Sequence, residues 1–346
     1  MIERVSGNLL EADVEALVNT VNTVGVMGKG IALQFKKAFP DNFKAYKRAC
    51  ESGKLVPGSV FVFETGLLSG PRYIINFPTK RHWKGASRLE DIESGLAALR
   101  AEIRARKIDS IALPPLGCGN GGLEWRVVRP LIERDLGAID GVRVQLFEPN
   151  GAPTALRMVD RTHRPKMTVG RAAVLGLMSR YKFPDYDYRL SVLEIQKLAY
   201  FLQVAGEPLR LNYQKAFYGP YADELRHVLN RLEGHFIVGF GDGQNKPDTP
   251  VDILPDVIDE ANSLIASHPQ ASERFDRVTR LIEGFETPFG MELLSSVHWV
   301  TEQENCSDLG SVISKVHDWS ERKRTTMQPA HIEAAWTRLR EYNWIS

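Results

Sequence analysis

The sequence lacks the features of a membrane protein and of a disulfide-stabilised secreted protein. Its 346 residues include only three cysteines, which are far apart and odd in number: Cys50, Cys118 and Cys306. No apolar stretch approaches the roughly 20 residues that a transmembrane helix needs, and the N-terminal MIERVSGNLL has no signal-peptide core. We therefore expect a reduced, cytoplasmic protein that does not associate with a membrane.

Several familiar ligand motifs are also missing. The eight histidines show no ligand spacing with cysteines or carboxylates, so we expect no metal site. No GKS or GKT occurs, which excludes a P-loop, and no G-x-G-x-x-G follows the first predicted strand. The sequence therefore predicts neither a metal centre nor a cofactor.

Charge is divided unevenly along the chain. Residues 1–165 contain 24 Lys+Arg and 18 Asp+Glu, a net charge of +6, whereas residues 166–346 contain 20 and 25, a net charge of −5. A basic half suits a polyanionic substrate, and an acidic half suits a basic protein partner. Imbalances of this size are common, so charge alone does not assign a function.

The pattern of apolar residues predicts two domains. In residues 1–150, β-rich runs alternate with helical segments such as the amphipathic stretch 89–107, as is typical of a layered α/β domain. Residues 151–166 are proline-containing and lack periodicity, which indicates a linker. Candidate helices dominate residues 167–346. The exceptions are candidate short strands at 211–218 and 235–240 and a predicted surface loop at 242–255.

Two glycine-rich loops and one lysine indicate a binding site. The loop VGVMGKG, residues 24–30, precedes a predicted helix, and LGCGNGG, residues 116–122, follows a predicted strand. Glycines allow close backbone approach, and a helix N-terminus offers N–H groups to an anion. Lys80 follows a short apolar strand, 73–75, and the residues Asn-Phe-Pro-Thr, so we expect it in a loop. The combination predicts a nucleotide-sugar site with its own nucleophile.

These loops carry a resemblance to a known family. Residues 7–39 and the stretch LPPLGCGNGGLEW, 113–125, resemble the first third and the second phosphate loop of a macrodomain, the module that binds ADP-ribose. The Met-Gly-Lys-Gly-Ile-Ala loop, with the lysine after Asn-Phe-Pro-Thr, resembles the lysine-dependent ADP-ribosyl glycohydrolases, which include the DarG antitoxins. The resemblance implies a three-layer α/β/α macrodomain over about 150 residues, followed by a mainly α-helical second domain.

The same resemblance implies roles for individual residues. Lys80 would be the catalytic amine that attacks or stabilises the anomeric carbon, and Asn22 would orient the distal ribose. The other implied ADP-ribose contacts are Asn8, Leu9, Gly28, Lys29, Gly30, Ile31, Gly117, Cys118, Gly119, Asn120 and Gly121. The implied substrate is ADP-ribose linked to a thymine base in single-stranded DNA.

Two positions depart from the family pattern. Many macrodomains have Gly-Asp-Ile where this chain has Gly7-Asn8-Leu9, which puts recognition of the adenine amine by an aspartate in doubt. Related lysine enzymes carry an aspartate in the second glycine loop, where this chain has Gly121. A second catalytic group would therefore come from elsewhere, and His82 is a nearby candidate.

The residues beside the lysine suit a DNA-binding rim. Arg81, His82 and Trp83 supply charge and a stacking ring, although they would equally suit a loop with a purely structural role. Residues 191–225 show a weaker resemblance to an antitoxin-type domain. This resemblance implies that the second domain binds a DarT-type ADP-ribosyltransferase toxin. A non-catalytic ADP-ribose reader and a purely sequestering antitoxin remain alternatives, and Lys80 favours the enzyme.

Overall fold

A computed structural model describes residues 1–149, 158–181, 190–241 and 246–346. The chain divides into two compact units, Met1–His163 and a second that begins at Arg164. This boundary falls within the segment that we predicted as a linker, of which residues 151–157 lie outside the described residues. None of the described helices is long and apolar enough to cross a bilayer.

The first unit is built on one six-stranded sheet. Its strands are β1 Ile2–Val5, β2 Ala16–Asn22, β3 Phe61–Glu64, β4 Tyr73–Lys80, β5 Ser110–Leu113 and β6 Arg143–Phe147. They lie in the order β1-β6-β5-β2-β4-β3, and all neighbours are parallel except β3, which runs antiparallel to β4. Five strands therefore place their carboxyl ends at one edge of the sheet.

Helices cover both faces of this sheet. They are α1 Gly30–Ala38, α2 Pro40–Glu51, α3 Leu89–Arg106 and α4 Trp125–Gly137. Because successive side chains of a strand point to opposite faces, Val18 of β2 joins the core under α3 and α4, whereas Leu17 joins the core that contains Phe35 of α1. The three-layer α/β/α macrodomain fold predicted from the sequence is confirmed.

Strand β4 is longer than the sequence indicated. We expected a strand at 73–75 that ends before the proline, but pairing with β2 continues through Pro78 to Lys80. The proline is tolerated because β3 pairs with β4 only as far as Asn76, so Pro78 has a strand partner on one side only. Lys80 is thus the last residue of a strand and does not lie in a loop.

The second unit is mainly helical, as predicted. Its helices in the described chain are α5 Val169–Arg180, α6 Val192–Val204, α7 Asp223–Leu232, α8 Val257–Ala266, α9 Pro269–Ile282, α10 Pro288–Gln303, α11 Leu309–Trp319, α12 Glu321–Thr326 and α13 Pro329–Glu341. Two small antiparallel sheets pair β7 Gln214–Ala216 with β8 Gly219–Tyr221, and β9 Ile237–Val238 with β10 Asp252–Ile253. The prediction of a surface loop over 242–255 was therefore wrong at β10, and residues 242–245 lie outside the described chain. One contiguous apolar core serves this unit.

Candidate active site at the carboxyl edge of the sheet

The topology brings the predicted site residues to one edge of the first unit. Strand β2 ends at Asn22, β4 ends at Lys80, and β5 leads into the second glycine loop. Because these strands are parallel, their carboxyl ends meet at the same edge, which is where open α/β sheets bind ligands. Asn8 lies just beyond the end of β1 at this edge.

Asn22 fixes the shape of the first glycine loop. Its buried side-chain Oδ1 accepts hydrogen bonds from the backbone N–H groups of Val24 (3.0 Å) and Val26 (3.3 Å), and its Nδ2 donates to the Val26 carbonyl (2.5 Å). The Tyr46 hydroxyl donates to the same Oδ1 at 3.1 Å, and burial raises the pKa of Tyr46, which keeps this donor protonated. The structure thus places Asn22 beneath the loop, and its contact with the distal ribose stays a prediction.

The first loop delivers a helix N-terminus to the site. Lys29 is the N-cap of α1 and makes no side-chain capping hydrogen bond, and Gly30 begins the helix with φ +61°. N–H groups in the first turn of a helix lack intrahelical partners and favour an anion. Gly28 to Ile31 therefore form a backbone site suited to a phosphate.

The second loop packs around a serine that sequence reasoning missed. The backbone N–H of Ser87 donates to the Gly121 carbonyl at 2.9 Å. A Cβ atom at Gly121 would overlap Ser87 Oγ and the Gly117 carbonyl, and Gly117 itself has φ +71°. A Cβ at Gly119, by contrast, would meet no atom within 4 Å. Gly121 is thus needed for packing, whereas Gly119 borders open space. The spacing of the glycines in the sequence does not distinguish these two positions.

Lys80 connects β4 to the second loop. Its Nζ donates a hydrogen bond to the carbonyl of Asn120, and no ion pair joins it to a carboxylate within the described ranges. Partial burial lowers the pKa of Lys80 below its usual 10.5, because the charged amine loses hydration. The site therefore favours the neutral, nucleophilic form of this amine more than water does.

Cys118 is not equipped to act as a nucleophile. Its Sγ lies 3.4 Å from the carbonyl oxygen of Leu116, and burial raises the pKa of the thiol to about 11. The reactive thiolate is therefore scarce at neutral pH. Cys118 is thus a small residue of the second glycine loop, and its contact with the diphosphate stays a prediction.

The segment after Lys80 forms a basic and aromatic surface. The rings of His82 and Trp83 stack with centroids 5.4 Å apart, and Lys84 Nζ lies 4.9 Å from the centroid of the half-exposed Trp83. The Arg81 guanidinium is 3.1 Å from the Asp91 carboxylate, so its charge is partly neutralised. All four side chains are accessible beside the lysine, as a nucleic-acid rim requires.

Asn8 and Leu9 have local structural partners. Asn8 caps a short 3-10 helix, Leu9–Glu11: its Oδ1 accepts from the N–H of Leu10 at 3.1 Å, and its Nδ2 lies 3.0 Å from Glu11 Oε1. Leu9 is buried in the core. Their contact with adenine stays a prediction. Across the described part of the chain, no group of three or more His, Cys, Asp or Glu residues could hold a metal ion.

Comparisons with known proteins agree with this architecture. The family model for the Macro domain matches residues 18–132. The DNA ADP-ribosyl glycohydrolase of Thermus aquaticus is 48% identical over 335 residues, which cover 97% of this chain and 92% of that protein. The DNA ADP-ribosyl glycohydrolase of Mycobacterium tuberculosis is 42% identical over 351 residues, which cover 98% of this chain and 99% of that protein.

Two further relatives match less than half of this chain. A DNA ADP-ribosyl transferase-DNA ADP-ribosyl glycohydrolase fusion protein of Thermosipho africanus is 38% identical over 160 residues, 42% of this chain and 41% of that protein. The solved macrodomain of Thermus aquaticus DarG is 59% identical and covers 43% of this chain and 99% of that one, with a TM-score of 0.42. Because the two full-length relatives match over nearly their whole sequences, this chain belongs to the DarG family of DNA ADP-ribosyl glycohydrolases.

Proposed function

We propose that the first unit removes ADP-ribose from thymine bases of single-stranded DNA, with Lys80 as its nucleophile, and that the second unit binds the cognate DarT-type toxin. The observation that carries the catalytic part is the position of Lys80: a strand end, in contact with the second glycine loop, with a lowered pKa. The names of the full-length relatives support the same reaction class.

The two glycine loops would hold the diphosphate. The uncapped first turn of α1 offers backbone N–H groups, and the second loop offers a surface that is open at Gly119. Binding there fixes the distal ribose near the end of β4, so the reaction between amine and sugar becomes effectively intramolecular. Effective concentrations of about 10⁵ M or more are typical of well-oriented groups.

Lys80 would then displace the DNA base from the anomeric carbon. The neutral Nζ forms a bond to that carbon while the N-glycosidic bond to the base breaks, and the electron pair of the broken bond leaves with the base. The base takes up a proton, and the amine loses one. Water next replaces the amine at the anomeric carbon, which releases ADP-ribose and regenerates Lys80.

The surface beside the lysine supports a single-stranded substrate. The stacked rings of His82 and Trp83 offer a face for an unpaired base, and stacking of this kind contributes about 1–3 kcal/mol per base. Lys84, close to the Trp83 ring, adds a positive charge for the phosphate backbone. Bases in a duplex are already stacked on one another and would not reach this surface.

Substitution of the nucleophile tests the catalytic part. Lys80→Ala lowers the rate of ADP-ribose release from modified single-stranded DNA by about 10³-fold or more, because no other amine replaces Nζ. Free ADP-ribose should still bind by calorimetry, because the loops supply most of its contacts. Lys54→Ala, which removes an exposed lysine elsewhere in this unit, should release ADP-ribose at the wild-type rate.

Two results would reject this mechanism. Wild-type turnover by Lys80→Ala would remove the nucleophile assignment. Absence of turnover by the wild-type protein, with ADP-ribose binding retained, would favour the non-catalytic reader.

The toxin-binding part needs a separate test. The acidic charge of residues 166–346 suits a basic, DNA-binding surface, and one relative unites the transferase and the glycohydrolase in a single chain. The full-length Lys80→Ala protein should still elute together with the purified toxin in size-exclusion chromatography, and the complex should weaken as salt rises. Separate elution at low salt would reject binding, whatever the outcome of the turnover assay.

A further inference from the structure

An open groove on the second unit has an aromatic lining and one acidic residue. It encloses about 320 Å³ between α6 and α10, and Tyr200, Tyr213, Trp299 and Glu302 are among its lining residues. This volume is at the low end of the roughly 300–1,000 Å³ of small-molecule sites. Glu302 is exposed, so the groove is open to solvent along its rim.

The aromatic lining is held in place from within. Buried Tyr200 lies at the centre, with ring centroids 5.0 Å from Tyr213 and 6.2 Å from Trp299. The Tyr200 hydroxyl is 2.7 Å from Nδ1 of His298, which is also buried, and the Tyr213 hydroxyl donates to the Gln196 carbonyl at 3.2 Å. The rings therefore form a preorganised surface.

The groove is electrostatically suited to a cation. Burial lowers the pKa of His298 to about 4, so the floor of the groove is neutral at pH 7. Glu302 makes no ion pair with any described residue, whereas Glu304, two positions along the chain, is 2.6 Å from Lys215 and 3.8 Å from Lys315. The carboxylate of Glu302 is thus the one at this groove whose charge the described chain leaves uncompensated.

We propose that this groove accepts an arginine side chain of the DarT-type partner, with the guanidinium against the aromatic rings and in contact with Glu302. A guanidinium is attracted to aromatic faces, presents planar donors that match a carboxylate, and is easier to desolvate than an ammonium. The acidic charge of residues 166–346 favours a basic partner protein. The proposal rests on the toxin binding proposed above and assigns its recognition to a defined groove.

A matched pair of variants in the full-length protein tests this assignment. Glu302→Gln removes the carboxylate at the groove with little change in volume, and Glu333→Gln removes an exposed carboxylate from α13 of the same unit. Each variant removes one negative charge, so the net charge changes equally in both and a difference between them reports the local contact. By calorimetry with the purified toxin, Glu302→Gln should raise the dissociation constant at least tenfold, and Glu333→Gln less than twofold.

The toxin side identifies the occupant. The arginines of the toxin are replaced one at a time by lysine. One of these toxin variants should bind the wild-type protein at least tenfold more weakly than the unchanged toxin does. The same toxin variant should bind Glu302→Gln almost as well as it binds the wild-type protein. Equal affinity of wild type, Glu302→Gln and Glu333→Gln would overturn the groove assignment while leaving toxin binding intact. Absence of any complex with the wild-type protein would overturn toxin binding and this proposal together. Failure of every arginine-to-lysine variant to weaken binding would overturn arginine as the occupant.

Discussion

The close packing of Gly121 predicts that its smallest substitution will damage the binding site. A Cβ atom at this position would lie 2.8 Å from the carbonyl carbon of Gly117 and even closer to its oxygen and to Ser87 Oγ. Carbon atoms pack best at about 3.5–4.0 Å, so the loop in Gly121→Ala must move by roughly 0.7 Å or more. The backbone that would face the diphosphate moves with it.

The size of the effect follows from the contacts that would be lost. Hydrogen bonds to a charged group contribute about 1.5–3 kcal/mol each, so the loss of one such bond weakens ADP-ribose binding by about 10- to 150-fold. Overpacking costs a further 1–3 kcal/mol of stability, roughly. The melting temperature should therefore fall while the protein remains folded.

The assay is calorimetric titration with free ADP-ribose, with Gly119→Ala as the control. Gly119 lies in the same loop but has open space around it, so its alanine variant should bind within a factor of about two of wild type. If Gly121→Ala binds ADP-ribose within a factor of about three of wild type, the second loop is not the phosphate site. If both variants lose ADP-ribose affinity equally, the packing around Gly121 is not the reason why the loop tolerates no side chain.

Three further outcomes are expected. Gly119→Glu, which places negative charge in the open approach to the loop, should abolish ADP-ribose binding measured by calorimetry while the melting temperature stays near wild type. Turnover should rise with pH, by about tenfold per unit at pH values well below the pKa of Lys80, because only the neutral amine attacks. Since burial lowers this pKa from its usual 10.5, the rise should level off at a lower pH than for a free lysine, and a falling pH profile would contradict the mechanism. The Nζ of the fully buried Lys323 is 2.6 Å from the Glu292 carboxylate, so Glu292→Gln leaves this amine without its counter-charge. In a denaturant titration this variant should lose about 3–5 kcal/mol of the free energy of unfolding, whereas Glu333→Gln should have no effect.

Strong periodic signals in the sequence predicted most of the fold. The long helix α3 was placed within one residue because Ile92, Leu96, Leu99 and Ile103 repeat at helical spacing. Helix α2 was missed because its buried positions are Asn42, Tyr46 and Ala49, which give no apolar periodicity. Strand β1 was missed because IERV is short and half charged.

The candidate site was predictable in its positions but not in its internal contacts. Glycine spacing indicated both loops, yet the reason for Gly121 is a contact with Ser87, 34 residues earlier, which only the tertiary structure brings close. The end of β4 was misplaced because a proline usually interrupts a strand, and the absence of a second neighbour beside Pro78 is a property of the sheet. In the second unit, nothing in the spacing of Tyr200, Tyr213 and Trp299 indicated a common groove.

Because β4 continues as far as Lys80, the fold restrains this lysine more strongly than it restrains the segment that follows. The backbone of Lys80 is registered against Asn22 of the neighbouring strand, so its conformational freedom is already lost when the sheet folds. The segment that follows, with Trp83 and Lys84 exposed, carries no such restraint from a strand. If this segment contacts DNA as proposed above, substitutions in it alter which nucleic acid is admitted without moving the amine of Lys80. Related proteins would in this way differ in the DNA sequence that they accept while keeping the same lysine at the same position.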